Sequence, residues 1–146
     1  MSDVVTIRVG SEKFAVPVMQ VRDVLRRQNA TPVPLAPPAV AGLLNLRGRV
    51  VTAIDLRLRL GLAPQAAEGD AAHVVVENGG ELYALAVDGV GDVLNVDERR
   101  LESVALALDA RWRAVASAVY PAETGLIVLL DIARLLDIAP VRRAAS

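Results

Sequence analysis

The sequence predicts a mainly β protein built from two copies of one small unit. Three observations carry this. Hydrophobic residues make up 53% of the 146 and aromatics only 3%. The core must therefore come from Val, Leu, Ile and Ala, and a valine-rich core suits β structure. Apolar and polar residues alternate in Val5-Thr6-Ile7-Arg8-Val9, the period of a half-buried strand. Finally, Phe14–Leu25 (FAVPVMQVRDVL) aligns without a gap on Tyr83–Leu94 (YALAVDGVGDVL).

Taken in order, the first element is a hairpin. Gly10-Ser11-Glu12-Lys13 reads as a four-residue turn, after which Phe14, Val16 and Val18 resume the alternation. Pro17 cannot donate to a ladder, so its strand should be an edge at that point. Thr31–Val40 (TPVPLAPPAV) holds four prolines in ten residues. That excludes helix and favours an extended path across the surface. Val50–Leu56 (VVTAIDL) is an apolar strand ending in Asp55, a suitable N-cap for a short helix. Gly61 then stands where a left-handed C-terminal cap belongs. Residues 63–72 (APQAAEGDAA) are small and turn-rich, the expected joint between the copies. In 103–118 (SVALALDARWRAVASA) alanine favours helix, whereas the repeat predicts loop and strand; both stay open.

The repeat is specific. Ala15/Ala84, Val18/Val87, Val21/Val90, Asp23/Asp92, Val24/Val93 and Leu25/Leu94 are identical pairs, and Gly10/Gly79 and Glu12/Glu81 match in the turns before them. Val50–Leu56 resembles Leu126–Ile132 (LIVLLDI), with Asp55 against Asp131. A long period occurring only twice means paired subdomains, not a solenoid. A catalytic role for either aspartate is the rival to capping, but neither has a second acid or base at a short spacing.

Charge is uneven. Residues 1–60 hold nine Lys/Arg against four Asp/Glu, and residues 61–146 hold seven against thirteen. The plain reading is two solvated faces. The sharper one is a molecule whose ends attract partners of opposite sign.

Several chemistries lack their residues. There is no cysteine, which fits a reducing compartment. His73 is the only histidine and has no ligand set around it. No phosphate loop or dinucleotide fingerprint occurs, and Ser11, Ser103 and Ser117 lack a nucleophile elbow. No apolar run reaches the ~18 residues of a membrane span, and no signal peptide is legible. The expectation is a cytoplasmic binding protein without catalysis, cofactor or metal. A small barrel that binds nucleic acid is the alternative from another class. The sequence pI of about 5.8 and the scarcity of stacking aromatics count against it.

One stretch stands out, Gly42–Val51 (GLLNLRGRVV). Gly48 is expected to supply a turn conformation that other residues tolerate poorly. Arg47 would lie at the rim of an apolar surface with its stem packed and its guanidinium free, or pair internally with Asp23 or Asp55.

These residues carry a resemblance. It rests on Asn45-Leu46-Arg47-Gly48 followed by an apolar strand and Asp55-Leu56. It also rests on the Gly10–Phe14 hairpin, Val21-x-Asp23-Val24, the Pro34-x-x-Pro37 loop leading to Gly42, and Val87-Asp88-Gly89-Val90. From about Val5 to Leu136 the chain resembles the CheW-type coupling proteins of bacterial chemosensory systems. The resemblance implies an all-β fold of two intertwined SH3-like five-stranded β-barrels with short helices. It implies a single domain over residues 1–140, with 141–146 a flexible tail. It implies an adaptor, with no catalytic activity and no cofactor. Such an adaptor links the cytoplasmic tip of a methyl-accepting chemoreceptor to the regulatory domain of a CheA-type histidine kinase, itself CheW-like. It would be cytoplasmic, recruited to membrane-bound receptor arrays, without inserting into membrane or binding nucleic acid. The receptor would lie in an apolar groove between the barrels, and kinase contacts would use both barrels, so that rings form. Carried onto this chain, the partner-binding residues are Val21, Val90 and Val93 for apolar contact and Asp23 and Arg47 for orientation. Gly42, Leu46 and Gly48 join them from the shared motif. Three departures matter: Asp23 replaces the usual Glu, glycine is missing near Ser117-Ala118, and Tyr120-Pro121-Ala122 is atypical. The second barrel is expected to be irregular there. Adaptors of type IV pilus or other chemosensory-like pathways fit the same resemblance.

Overall fold

The computed structural model describes residues 1–64, 68–104 and 110–138. Strands β1 (Ser2–Val9), β2 (Glu12–Pro17), β3 (Val21–Arg26), β4 (Val40–Leu46) and β5 (Arg49–Asp55) lead into helix α1 (Leu56–Arg59). Strands β6 (Ala72–Asn78), β7 (Glu81–Val87) and β8 (Gly89–Val96) follow, then α2 (Ala110–Arg113), β9 (Ala116–Ala122), β10 (Gly125–Leu130) and α3 (Ile132–Leu135). They form two five-stranded sheets, ordered β8-β1-β2-β10-β9 and β3-β6-β7-β5-β4.

Matching β1–β5 with β6–β10 makes the two orders identical, but neither sheet is one copy. The first takes two strands from the first copy and three from the second, and the second sheet takes the reverse. The registers coincide. Val5↔Val16 matches Val74↔Leu85, Ile7↔Val90 matches Val76↔Val21, and Phe14↔Val128 matches Tyr83↔Thr52. The bulges recur at matched places, between Val5/Ile7 and Val21/Asp23, and between Val40/Gly42 and Leu129/Leu130. So do two bridges outside the strands, Thr31↔Leu43 and Glu102↔Val119. The duplication is thus present and intertwined.

The alternation in β1 sorts its side chains. Val5, Ile7 and Val9 join a core that draws on both sheets, with Phe14 and Val16 from one and Ile54, Val74 and Leu85 from the other. Val4 turns the other way, to a cluster with Ala15, Val96, Tyr120 and Ile127. The matched cluster of the second sheet is Leu44, Val51, Ala53, Val75 and Ala84. His73 occupies the place that Val4 holds in the first sheet. It is 2% exposed, and its Nδ1 accepts the Gln28 N–H at 3.2 Å. Burial, then the nearby Arg27 charge, lowers its pKa from 6.5 to about 4. Arg27, which matches Val96, turns its guanidinium to the backbone carbonyls of Ala72 and Val87.

Both aspartate caps form. Leu58 N–H donates to Asp55 Oδ1 at 3.2 Å and Arg134 N–H to Asp131 Oδ1 at 3.1 Å. Gly61 has φ +73° just past α1. Arg59 donates to the carbonyls of Leu135 and Arg134 at 2.7 and 3.0 Å. A cation thereby satisfies the open C-terminal end of α3. Trp112 Nε1 donates to Leu60 O at 2.9 Å while its ring meets Phe14 edge-on at 5.3 Å.

Several expectations change. The β1–β2 connection is two residues, Gly10-Ser11, because Glu12 already pairs with Val9. Strand β2 is central in its sheet, but at Pro17 only its β1 side is paired, so the edge expected at that point is local and not a property of the whole strand. Pro17 is tolerated because it is the last residue of β2, past the β10 ladder, whose pairs are Phe14 and Ala15. Strand β9 is regular apart from the bulge its twin also has, and Tyr120 is buried under Arg100, which donates to its hydroxyl at 3.0 Å. Of 103–118, residues 110–113 are helix and 116 onward strand; residues 105–109 lie outside the described residues, as do 65–67 of the joint and the 141–146 tail. The Pro-rich run is non-helical, with turns at Pro34-Leu35 and Pro38-Ala39. Charge does not divide by barrel. The second sheet and its loops, residues 18–87, hold seven Lys/Arg and six Asp/Glu, and the rest nine and eleven. Strand exchange mixes the basic and acidic halves, so oppositely charged ends do not arise.

Candidate partner interface

The β4–β5 turn is set by its backbone. Leu46 pairs with Arg49, leaving Arg47 and Gly48 as a two-residue turn. Their φ values are +52° and +81°. Two positive φ values define the type I′ hairpin, which favours Asn-Gly. Gly48 adopts this conformation freely, as expected. That Arg47 shares it was not expected, and a non-glycine residue there costs on the order of 1 kcal/mol. Asn45 Oδ1 accepts the Gly48 N–H at 3.1 Å and helps hold the turn.

Arg47 Nη2 lies 3.7 Å from Asp23 Oδ2, with the two side chains 89% and 40% exposed. An exposed pair of this kind contributes at most about 1 kcal/mol. Of the two internal partners weighed above, Asp23 is met, while Asp55 is used in its cap. The arginine stem is not packed, contrary to expectation. Since β3 and β4 are the two edges of the second sheet, the contact joins the β4–β5 turn to the opposite edge.

The other expected residues divide into groups. Leu46 is half-buried against the Leu44–Val51 cluster. Gly48 is open to solvent, and a Cβ there would touch nothing within 4 Å. Gly42 has a structural reason: φ is +146° and a Cβ would sit 2.2 Å from Thr31 O, where Thr31 and Leu43 exchange backbone hydrogen bonds of 2.9 and 2.8 Å. Val21 and Val90 are half-buried against the shared core. Val93 is 62% exposed, and its twin Val24 44%. Val90 lines two open clefts, one of about 700 Å³ with Val24, Leu25 and Arg26, the other of about 680 Å³ with Val93, Leu94 and Tyr120. The structure therefore brings Asp23 to Arg47 and Val90 to Val93, and neither of these two clefts is lined by both pairs. Val24 was missed, although the pairing of Val24 with Val93 in the repeat already pointed to it.

Beneath these surfaces lies an ionic knot at the crossover from β7 to β8. Asp88 Oδ2 accepts from Arg57 Nη2 at 2.7 Å and from the Gly10 N–H at 2.6 Å. Burial alone would raise the Asp88 pKa. Hydrogen bonds from Arg57 and Gly10, with the Arg57 and Arg8 charges, outweigh it and hold the carboxyl below its ordinary value. Among the described residues, no three His, Asp or Glu stand together as a metal set, and no helix is long and apolar enough to cross a membrane.

A family model, the CheW-like domain, matches residues 3–139. The chain is 33% identical over 132 residues to the chemotaxis protein CheW of Rhizobium meliloti, spanning 89% of this chain and 84% of that one. It is 30% identical over 137 residues to a probable chemotaxis protein CheW of Rhizobium etli, spanning 92% and 87%. In fold it is similar to the scaffolding protein TtCheW of Thermoanaerobacter tengcongensis, with a TM-score of 0.84 at 24% identity over 94% of this chain and 93% of that one. With the intertwined pair of five-stranded sheets and the Asn45–Gly48 turn in place, the chain belongs to the CheW-like family.

Proposed function

We propose that the protein is a non-catalytic adaptor. It couples the cytoplasmic tip of a methyl-accepting chemoreceptor to the regulatory domain of a CheA-type histidine kinase. The partner names come from the family. The observation that carries the reading is the presentation of matched apolar side chains, Val24 and Val93, on the edge strands β3 and β8. Each has a half-buried valine, Val21 or Val90, on the same strand. Two equivalent surfaces on one small body suit a bridge between two partners. Asp23 and Arg47 orient a partner at the rim of one of them. The contacts are small, so each binds weakly, and an array supplies the rest by multivalency. The protein works in the cytoplasm at membrane-bound receptor arrays, without inserting into the membrane.

The test is a pull-down with the cognate receptor fragment and the kinase, separately and together, using the wild type, Val24→Ser and Val93→Ser. Binding to both, weakened by either change, is the expected result. Binding to the kinase but to no receptor points to an adaptor of a related pathway, such as one serving type IV pili. Binding to neither, with salt-sensitive binding to RNA or DNA, overturns the proposal.

A further inference from the structure

The repeat singles out the turn between β6 and β7. These strands pair Asn78 with Glu81, leaving Gly79-Gly80 as a two-residue turn with φ +60° and +81°. Its twin is Gly10-Ser11. There the residue before the glycine is Val9, which is buried, and the Gly10 N–H is held by Asp88 Oδ2 at 2.6 Å. The match to Asp88 is Met19, which has no carboxylate. The Gly79 N–H therefore lacks the acceptor its twin has. Among the described residues no hydrogen bond engages it, and none engages the Asn78 carboxamide.

The chain has four asparagines, and their surroundings differ. Asn45 Oδ1 accepts from the Gly48 N–H, and Asn95 Nδ2 donates to Asp3 Oδ1 at 2.7 Å. Asn29 is followed by Ala30, whose methyl group crowds its own amide. Only Asn78 precedes a glycine. Gly79 is exposed, and a Cβ there would find no atom within 4 Å, so water and hydroxide reach the peptide bond.

We infer that Asn78 is a site of spontaneous deamidation, and that its products loosen the β6–β7 turn. Base removes the Gly79 amide proton, and the nitrogen attacks Asn78 Cγ. A bond forms from that nitrogen to Cγ, the Cγ–Nδ2 bond breaks, and ammonia leaves with a proton from water. Water then opens the cyclic imide at either carbonyl. Opening at Cγ leaves aspartate on a normal backbone. Opening at the main-chain carbonyl leaves isoaspartate, with one extra carbon in the chain. In both products one amide and one water have become a carboxylate and an ammonium ion. Ring closure requires the Asn78–Glu81 pair to open, which a hairpin end does far more readily than the core.

Either product disturbs the turn. A carboxylate at position 78 stands directly opposite Glu81, and like charges facing across a ladder are destabilising. Isoaspartate lengthens one side of the hairpin, so the two-residue register no longer closes. Beside it, Glu77 holds Arg22 of β3 at 2.6 Å, so the loosened end adjoins the strand that carries Val21, Asp23 and Val24. The inference needs neither receptor nor kinase, so it stands or falls apart from the coupling proposal.

The test is peptide mass mapping of the full chain, incubated folded at neutral and mildly alkaline pH beside the same chain in urea. The folded protein should convert Asn78 at least about tenfold faster than Asn29, Asn45 or Asn95, because glycine leaves the attacking nitrogen uncovered and the backbone free to turn. The rate should rise with pH, since the attacking amide must lose its proton. Gly79→Ala should slow it, with circular dichroism verifying that the variant folds; if it does not fold, the comparison with urea decides alone. Asn78→Asp reproduces one product, and it should lower the urea midpoint, by less as salt is raised. An Asn78 that keeps its amide in the fold while losing it in urea overturns the inference, as does equal conversion at the other asparagines. An Asn78→Asp protein as stable as the wild type overturns the loosening.

Discussion

Arg57 and Asp88 form a partly buried ion pair, 2.7 Å between Nη2 and Oδ2, at the point where the chain leaves one sheet for the other. Their side chains are 14% and 15% exposed. The same carboxylate holds the Gly10 amide, so one residue ties the β1–β2 turn of the first sheet to α1 beside the second. Removing one partner of such a pair strands the other. Asp88→Asn is therefore expected to cost about 2–4 kcal/mol, read as a lower urea midpoint. The Asp88 pKa is depressed in the fold, so its contribution is present above the unfolded carboxyl value and is lost as pH falls through the folded one. A melt at low pH should show the wild type and Asp88→Asn converging; a gap that persists there would deny the pair this role.

Asp88 also marks how far the sequence could be read. The duplication was legible because Val21/Val90 and Asp55/Asp131 keep the same neighbours, and the hydrogen-bond registers follow from that. Alternation placed Val5, Ile7 and Val9 together because strand geometry alone decides which face a residue takes. The asymmetries were not legible. Asp88 matches Met19, and Arg27 and His73 match Val96 and Val4, so the repeat is silent about them. Their partners lie 31 to 78 residues away. Arg47 in a left-handed conformation was also hidden, because its residue type argues against that conformation and the two-residue register imposes it. Of the candidate residues, the Asp23–Arg47 pairing was anticipated. The crowding at Gly42 was not, since Thr31 is brought there only by tertiary pairing.

His73 should make the protein acid-sensitive in a particular window. It is buried neutral, with its pKa lowered to about 4 from 6.5. Between those values the unfolded chain binds a proton that the folded one does not. Stability then falls as pH drops from 6.5 towards 4 and levels off below. The shift corresponds to at most about 3 kcal/mol. His73→Val copies the residue at the matched position of the first sheet. It should remove this part of the pH slope, though it leaves the Gln28 amide without its acceptor. Urea midpoints of both proteins across the window decide the matter, and parallel slopes would refute it.

Gly42→Ala should damage the fold. A methyl 2.2 Å from Thr31 O cannot be accommodated by a flexible side chain, because the obstacle is backbone. At φ +146° the residue is also strained. The Thr31–Leu43 bridge must open, for a loss of about 2 kcal/mol or more. The matched position holds Ala118 at the same kind of bulge, so the demand for glycine belongs to the first copy. A thermal melt unchanged by Gly42→Ala would return Gly42 to the group of purely partner-facing residues.

The turn offers the sharpest separation of stability from association. Gly48→Val places a β-branched side chain at φ +81°, and it should lower stability by about 1–2 kcal/mol through strain alone, since no atom obstructs it. Arg47→Ala removes an 89% exposed guanidinium and a 3.7 Å contact, so its melt should stay within about 0.5 kcal/mol of wild type. Arg47→Gly goes further. It relieves the one non-glycine residue of the type I′ turn, so it should equal or exceed the wild type in stability by up to about 1 kcal/mol. If Arg47 is kept for contact with partners, the better-folded Arg47→Gly protein should bind them worse. Melts and pull-downs on the same preparations give both numbers. An Arg47→Gly protein that melts far below wild type would make Arg47 a structural residue held by Asp23, and the contact role assigned to it would fail.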